Sequence, residues 1–357
     1  TKYHQAARQN ICAYQAVPIG ITVEGANILT RSLMIFGQGA IRCHPFIVEE
    51  IEAAGMEDKD EAVKKFDGIF YRHIAHTGRN ALRAFVLGLS HGVFESAPTK
   101  GDIGKYYKQL GRFSAAYALM TDVTLLSIGG GLKARQRLSG RMADCLVHLY
   151  YASAVIKFWH EQDYSEDQRP IVEWCLQSSL RDLQKDMREV IINFPVPALR
   201  WPLRVLVFPL GATGLNGPND KLGTQVAMSI VDDTPLRELI SHGCYVNHEP
   251  DDSLGRVLNA YKLANETKEM RSRLHKAIAE KDPDDLDGIA LLMGHERKEL
   301  VDWACEQKII TEAESEKLLE ALTALYDVLR VDAFDAEGLK KLAKGAKGKR
   351  QVVERGR

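Results

Sequence analysis

The sequence predicts an all-α protein on three observations. Apolar residues recur at steps of three and four through most of the 357 residues, no stretch alternates with the period of a strand, and glycine and proline gather between the periodic stretches. The first stretch follows Gly25 and carries Ile28, Leu29, Leu33 and Phe36; a second, about Glu61 to Leu89, carries Phe66, Phe70, His73, Leu82, Phe85 and Leu89. A third stripe runs Ile103, Tyr106, Tyr107, Leu110, Phe113, Tyr117, Met120 and stops at Gly129, Gly130 and Gly131, three residues with high backbone entropy and no packing surface. A fourth runs Leu138, Met142, Cys145, Leu149, Ile156, Trp159. The polar segment Gln162 to Pro170 breaks the chain, and Pro170 suits the opening of the next helix. That helix carries Leu176, Leu180, Leu183, Met187, Val190 and Phe194 and ends before Pro195 and Pro197. Short breaks between long amphipathic helices favour an antiparallel bundle, because the apolar stripes need one another.

After Phe194 the pattern loosens. Residues 195–250 hold Pro195, Pro197, Pro202, Pro209, Gly211, Gly214, Gly217 and Pro218, a looped connector around short helices. Helices resume at Leu254–Ile278, Leu286–Met293, Leu300–Trp303 and Glu312–Leu329, the last with a solvated acidic face from the run Glu312, Glu314, Glu316, Lys317 and Glu320. The expected organisation is a helical bundle over 1–195, a second helical extension over 196–335 and a basic flexible tail over 336–357.

Composition bounds the function. Lys and Arg number 47 against 48 Asp and Glu, and 45% of residues are hydrophobic, so the chain can bury a core. Residues 340–357 carry eight basic residues and one acid, which leaves an acidic body with no general basic field; no nucleic-acid partner is expected. Six cysteines without a CxxC pair suit reduced thiols and a cytoplasmic location. The two longest charge-free runs have 15 residues each, so no transmembrane helix is predicted, while peripheral contact with the inner membrane stays open. The chain starts at Thr1 without an initiator Met, which suggests a piece of a longer protein.

One carboxylate stands out. Glu24 lies among Ile19, Ile21 and Val23, directly before Gly25 and an apolar helix. An acid in such a surround is desolvated and gains the proton affinity of a general base, and Gly25 would admit a ligand beside it. The plainer reading is an exposed Glu near a helix N-terminus, favoured by the macrodipole.

The string VEGANILTRSLMIFGQGAIRCHPF resembles the C-terminal region of the long bacterial acyl-CoA dehydrogenases of the FadE type. RHIAHTGRNALRAFVLGLSHG, KYYKQLGRFSAAYALMTDVTLLSIGGGLKARQRLSGRMADCLVHLYYASAVIKFW and NFPVPALRWPLRVLVFPLG extend the resemblance over most of the chain. The resemblance implies FAD-dependent oxidation of a fatty acyl-CoA to trans-2-enoyl-CoA in β-oxidation. Glu24, the acid of the family's EG dipeptide, would remove the α-proton while the β-hydride goes to N5 of FAD. Gly25 would contact the thioester, and Ala26 and Asn27 would face FAD, with Ala26 in place of the usual hydroxyl residue. Electron-transfer flavoprotein or a similar acceptor would take the electrons, and homo-oligomers are common in the family. Only 23 residues precede Glu24, whereas the family builds most of its flavin and substrate pocket upstream, so little activity is expected of this polypeptide alone. The alternative is a non-catalytic helical dimerisation or membrane-surface interaction module.

Other constellations read as structural. His73 and His76 are three apart on one helix face, but no third metal ligand at a matching spacing is evident, and ordinary core or surface histidines are expected. His242, Cys244 and His248 lack a partner pair for zinc. Gly129–Gly131 with Lys133 and Arg135 lacks the phosphate-loop pattern and reads as a helix terminator. Arg31 is expected in a packing salt bridge. Arg200 to Phe208 mixes basic and aromatic residues as an interfacial helix does, with burial in the connector as the expected outcome.

Overall fold

The structure, a computed structural model, describes residues 2–99, 101–231, 234–244, 252–281 and 297–329. Among them every regular element is helical and no strand occurs, as the periodicity predicted. The chain divides into two compact units, one over Pro18–Ser241 and one taking His242 onward together with the residues up to Val17.

The unit over Pro18–Ser241 takes in the later turns of helix α1 (Lys2–Leu29), which continues into a π-helical segment (Thr30–Gln38) and α2 (Gly39–Cys43). Then come α3 (Ile47–Ala54), α4 (Lys59–Leu89), α5 (Asp102–Ile128), α6 (Gln136–Glu161) and α7 (Arg169–Ile192), with the shorter α8 (Pro197–Val207), α9 (Asp220–Val231) and α10 (Pro235–Ser241). The Asp58 side chain caps α4 by accepting from the N–H groups of Asp60 and Glu61, a contact worth about 1 kcal/mol. Helix α5 stops at Gly129, whose φ of 52° lies in the left-handed region, and a 3₁₀ turn over Gly129–Ala134 leads into α6. Pro170 sits in the first turn of α7, as expected.

The three stripes of α5, α6 and α7 meet in one core. Phe113, Met120, Met142, Cys145, Leu176, Leu183, Met187 and Phe194 are fully buried there. Burial pushes the Cys145 thiol well above its usual pKa, so this cysteine is an inert core residue.

Helix α4 departs from its expected face. Its buried line is Ile69, His73, Asn80, Ala84, Leu87 and Gly88, while Phe70, Leu82 and Leu89 look outward. Small Ala84 and Gly88 let α8 approach closely, and polar His73 and Asn80 face inward because partners meet them there.

The division between units falls after Ser241 and not at the expected 195/196 boundary. Helix α8 packs on α4 and α7, and α9 packs on α7, so residues 196–241 belong with the bundle. Leu203, Val207 and Phe208 are buried as expected, and Trp201 alone of that segment's large apolar residues stays strongly exposed.

The second unit contains α11 (Ser253–Glu266), α12 (Lys268–Lys281), α13 (Arg297–Glu306) and α14 (Glu312–Leu329). Leu274, Ile278, Val301, Ala304, Leu318 and Leu322 form its core, and Arg273–Glu314 and Lys317–Glu266 pairs lie around it. A break at Thr267 splits the single helix expected over 254–278. Residues 286–293, His248 and the basic tail over 336–357 lie outside the described residues.

Two stretches, Ala16–Cys43 and Asp102–Ala134, are long and apolar enough to cross a bilayer. Charge-free runs do not reveal them, because Glu24, Arg31 and Arg42 interrupt the first without making it polar. The second is the central helix of the bundle, which is apolar for that reason.

Candidate functional site

Helix α1 passes through both Pro18 and Gly25, so Glu24 sits inside a helix and not ahead of one. The expected macrodipole contact therefore falls away. The desolvated reading fails as well, and of the plainer reading the exposed carboxylate holds. Glu24 is exposed, and so are its neighbours along the same face, Ile21 at 77% and Ile28 at 50% of their free surface. The apolar surround is itself in water, because no other described element covers this stretch.

Asn27 Nδ2 donates to Glu24 Oε2 at 3.3 Å, a pairing allowed because residues three apart share a helix face. Gly25 and Ala26 point elsewhere around the axis, and a β-carbon at Gly25 would meet nothing within 4 Å. The structure thus brings Glu24 and Asn27 together and leaves the space beside Gly25 open.

The chain beyond Glu24 is anchored firmly. Arg31 makes a two-pronged pair with Asp144 on α6, Nε donating to Oδ1 at 2.5 Å and Nη2 to Oδ2. That hydrogen bond raises the guanidinium pKa against the opposing effect of partial burial. Ser139 Oγ donates to the Ser32 carbonyl. The N–H of Gly39 reaches back five residues to Met34 O, the bond pattern of a π-helix. Gly140 lies beneath Arg31, where an added β-carbon would stand 3.1 Å from Nη1. Arg31 is thereby committed to packing, as expected.

The chemistry of this face decides what it can hold. Its described donors are the Asn27 amide, already turned to Glu24, and an arginine occupied by Asp144. A flavin dinucleotide needs cations or N–H groups for its pyrophosphate and walls for its ring. Glu24, Gly25, Ala26 and Asn27 by themselves do not fit one.

A second constellation carries no recognisable motif in the sequence. His44, in the turn before α3, has Nε2 2.7 Å from Asp122 Oδ1 on α5, and its Nδ1 accepts from the peptide N–H groups of Phe46 and Ile47 at 3.2 and 3.3 Å. Nε2 therefore carries the hydrogen. Thr77 Oγ1 on α4 donates to the other Asp122 oxygen at 2.8 Å. His73, also on α4, donates from Nδ1 to Glu50 Oε1 at 2.8 Å and stacks with Phe46, ring centroids 5.5 Å apart. The imidazoles of His44 and His73 lie 4.7 Å apart, and His76 turns instead to Asn80. Burial alone would raise the Asp122 pKa, but the hydrogen bonds from His44 and Thr77 outweigh it and leave the carboxyl below its usual range. The i,i+3 pair His73 and His76 is the sequence signal here, and it points to the wrong partner for His73.

Two clefts lie away from Glu24. One of about 760 Å³ is walled by Tyr107, Tyr117, Leu149 and Ile156 with Lys157 and His160. Another of about 540 Å³ is lined by Arg135, Arg137 and Arg141, the last paired with Glu189.

No solved structure matches this chain. The family described as acyl-CoA dehydrogenase, C-terminal, bacterial type, matches residues 41–334, a span that begins after Glu24 and takes in the described helices from α3 to α14. Spanning most of the sequence, that match shows that the chain belongs to the bacterial-type acyl-CoA dehydrogenase C-terminal family.

Proposed function

We propose that this chain contributes the proton acceptor and the helical rear portion of an acyl-CoA dehydrogenase, with Glu24 as the base. One observation carries the reading: in a chain of this family, a lone carboxylate stands next to a glycine on an open helix stretch whose exposed neighbours Ile21, Val23 and Ile28 are apolar.

The chemistry rests on these side chains. The α-carbon of an acyl-CoA thioester is acidic enough to yield a proton to a carboxylate held close to it. Gly25 leaves room for the thioester to lie against the backbone, and the Asn27 amide holds one oxygen of Glu24, leaving the other to receive the proton. Closing the Ile21–Ile28 face against another surface would exclude water from around Glu24, and desolvation raises the proton affinity of a carboxylate. FAD, the family's typical cofactor, belongs on that opposing surface, since the residues present here do not fit it. A fatty acyl-CoA as substrate, trans-2-enoyl-CoA as product and electron-transfer flavoprotein or a similar acceptor complete the proposal.

The test joins this chain to the flavin-bearing part of such an enzyme and measures reduction of an electron acceptor by palmitoyl-CoA. Glu24→Gln is expected to cut the rate by about 10² to 10⁴ fold, the usual worth of a positioned base. Near-normal turnover would remove Glu24 from the reaction and leave the exposed face as a dimerisation or membrane-surface contact.

A further inference from the structure

We infer that His44, His73 and Asp122 form a binding site for a single divalent transition-metal ion, with zinc the best fit. One ring nitrogen of each histidine and a carboxylate oxygen of Asp122 lie within 4.8 Å of one another. Their side chains are 5%, 3% and 2% exposed. The three residues come from the turn before α3, from α4 and from α5, so a shared ion would tie three elements of the bundle together.

The state of His73 points to a ligand. Its Nδ1–H is given to the Glu50 carboxylate, which turns Nε2 toward the other side of the ring, and that nitrogen is buried without a partner. Buried polar atoms are rarely left so. A carboxylate on one imidazole nitrogen with the other free is the arrangement that orients and strengthens metal-binding histidines. Asp122 is oriented in the same way by the Thr77 hydroxyl.

Charge and donor type agree. The carboxylates of Asp122 and Glu50 lie among side chains at most 15% exposed, and metal-ligating imidazoles are neutral, so the bound state would hold two negative charges there. Arg72, over the Phe46 ring at 5.8 Å, is engaged with Glu49. A doubly charged ion would balance the pair. Two imidazoles and one carboxylate favour zinc or its neighbours over magnesium or calcium, and three protein ligands leave a position for water.

Binding requires small adjustments. Ligands at about 2.0–2.1 Å from a tetrahedral zinc stand roughly 3.3 Å apart, so the 2.7 Å His44–Asp122 pair must open. The hydrogen on His44 Nε2 must move to Nδ1, which breaks the 3.2 and 3.3 Å contacts to the peptide N–H groups of Phe46 and Ile47. Metal binding is therefore coupled to movement of residues 44–47.

The experiment uses the whole chain, stripped with chelator, and titrates zinc against a chromophoric competitor. It expects one tight site per chain, cobalt(II) giving the visible bands of a four-coordinate complex, and altered amide exchange at Phe46 and Ile47. His73→Gln and Asp122→Asn should each abolish the tight site. Glu50→Gln should keep the stoichiometry and weaken affinity about 10 to 100 fold, and Cys43→Ser should change nothing. Wild-type chain with no tight site, or a tight site that survives folded His73→Gln, would overturn the proposal. Should either variant fail to fold by circular dichroism, the wild-type stoichiometry and cobalt spectrum decide it alone.

Discussion

Gly88 sits where α4 and the chain leaving α8 come closest. A β-carbon there would stand 2.8 Å from Pro209 Cδ and 3.0 Å from Val207 O, a ring and a backbone carbonyl with little freedom to yield. On the same helix, Gly68 and Gly78 have nothing within 4 Å of the equivalent position. Replacing a mid-helix glycine by alanine gains about 0.5–1 kcal/mol from backbone entropy. At Gly88 that gain meets an overpacking cost of about 1–3 kcal/mol, and contacts this short put the cost toward the upper end. The expected net effect of Gly88→Ala is a loss of about 1–2 kcal/mol, while Gly78→Ala gains about 0.5–1 kcal/mol. With about 2–4 °C per kcal/mol for a unit of this size, Gly88→Ala should melt about 2–8 °C below the parent and Gly78→Ala about 1–4 °C above it. Urea titration followed by circular dichroism and tryptophan fluorescence gives the same comparison at constant temperature. Both substitutions share a helix and a chemistry, and the smaller propensity gain near the helix end at Gly88 is outweighed in their difference by the contacts with Pro209 and Val207. Equal stability of the two variants would refute the close α4–α8 approach.

Two other measurements probe the bundle. His148 Nε2 lies 3.4 Å from Asp186 Oδ2, and that contact raises the imidazole pKa against the effect of burial. A raised histidine stabilises fully below its unfolded value of about 6.5 and loses that contribution as pH climbs through the folded pKa. Urea midpoints of the parent should therefore fall across that window, and Asp186→Asn should flatten the fall; an unchanged slope would contradict the pairing. Arg31→Ala should cost about 0.5–1 kcal/mol, a modest figure because the pair is partly exposed. Arg31→Lys should recover little of it, since an ammonium cannot make the two-pronged bond. Hydrogen exchange across residues 30–38 should rise in both variants, and unchanged protection would show that the Ser139–Ser32 contact suffices.

The sequence was most informative where one periodic pattern met one neighbour. The stripes of α5, α6 and α7 are each long, regular and buried against one another, so spacing alone found Phe113, Met142 and Leu183. Helix α4 misled because its inward face is small and polar. Ala84, Gly88 and Asn80 carry little apolar signal, whereas outward Phe70 and Leu82 carry much. The break at Thr267 was hidden because both sides keep helical character. At the site, the EG dipeptide could be read directly, but the residues left both a desolvated and an exposed Glu24 open, because burial depends on what lies opposite and no local pattern encodes that. The His44–Asp122 contact joins residues 78 apart, and Glu50 reaches His73 across 23 residues. Only the folded bundle brings them together.

The π segment over Thr30–Gln38 carries the anchors of the chain beyond Glu24, with Arg31 and Ser32 near its start and buried Phe36 near its end. Wider winding turns the chain through a smaller angle per residue than α pitch does, so this stretch sets the rotational phase between Glu24 and Phe36. Substitutions within it would leave that phase intact as long as the winding holds. Loss or gain of a single residue would not: a one-residue deletion between Arg31 and Phe36 that restored α pitch would swing Arg31 and Glu24 together around the axis while Phe36 kept its seat. The length of this segment is therefore under tighter constraint than its composition, and an insertion or deletion there would misdirect the acid without disturbing the core.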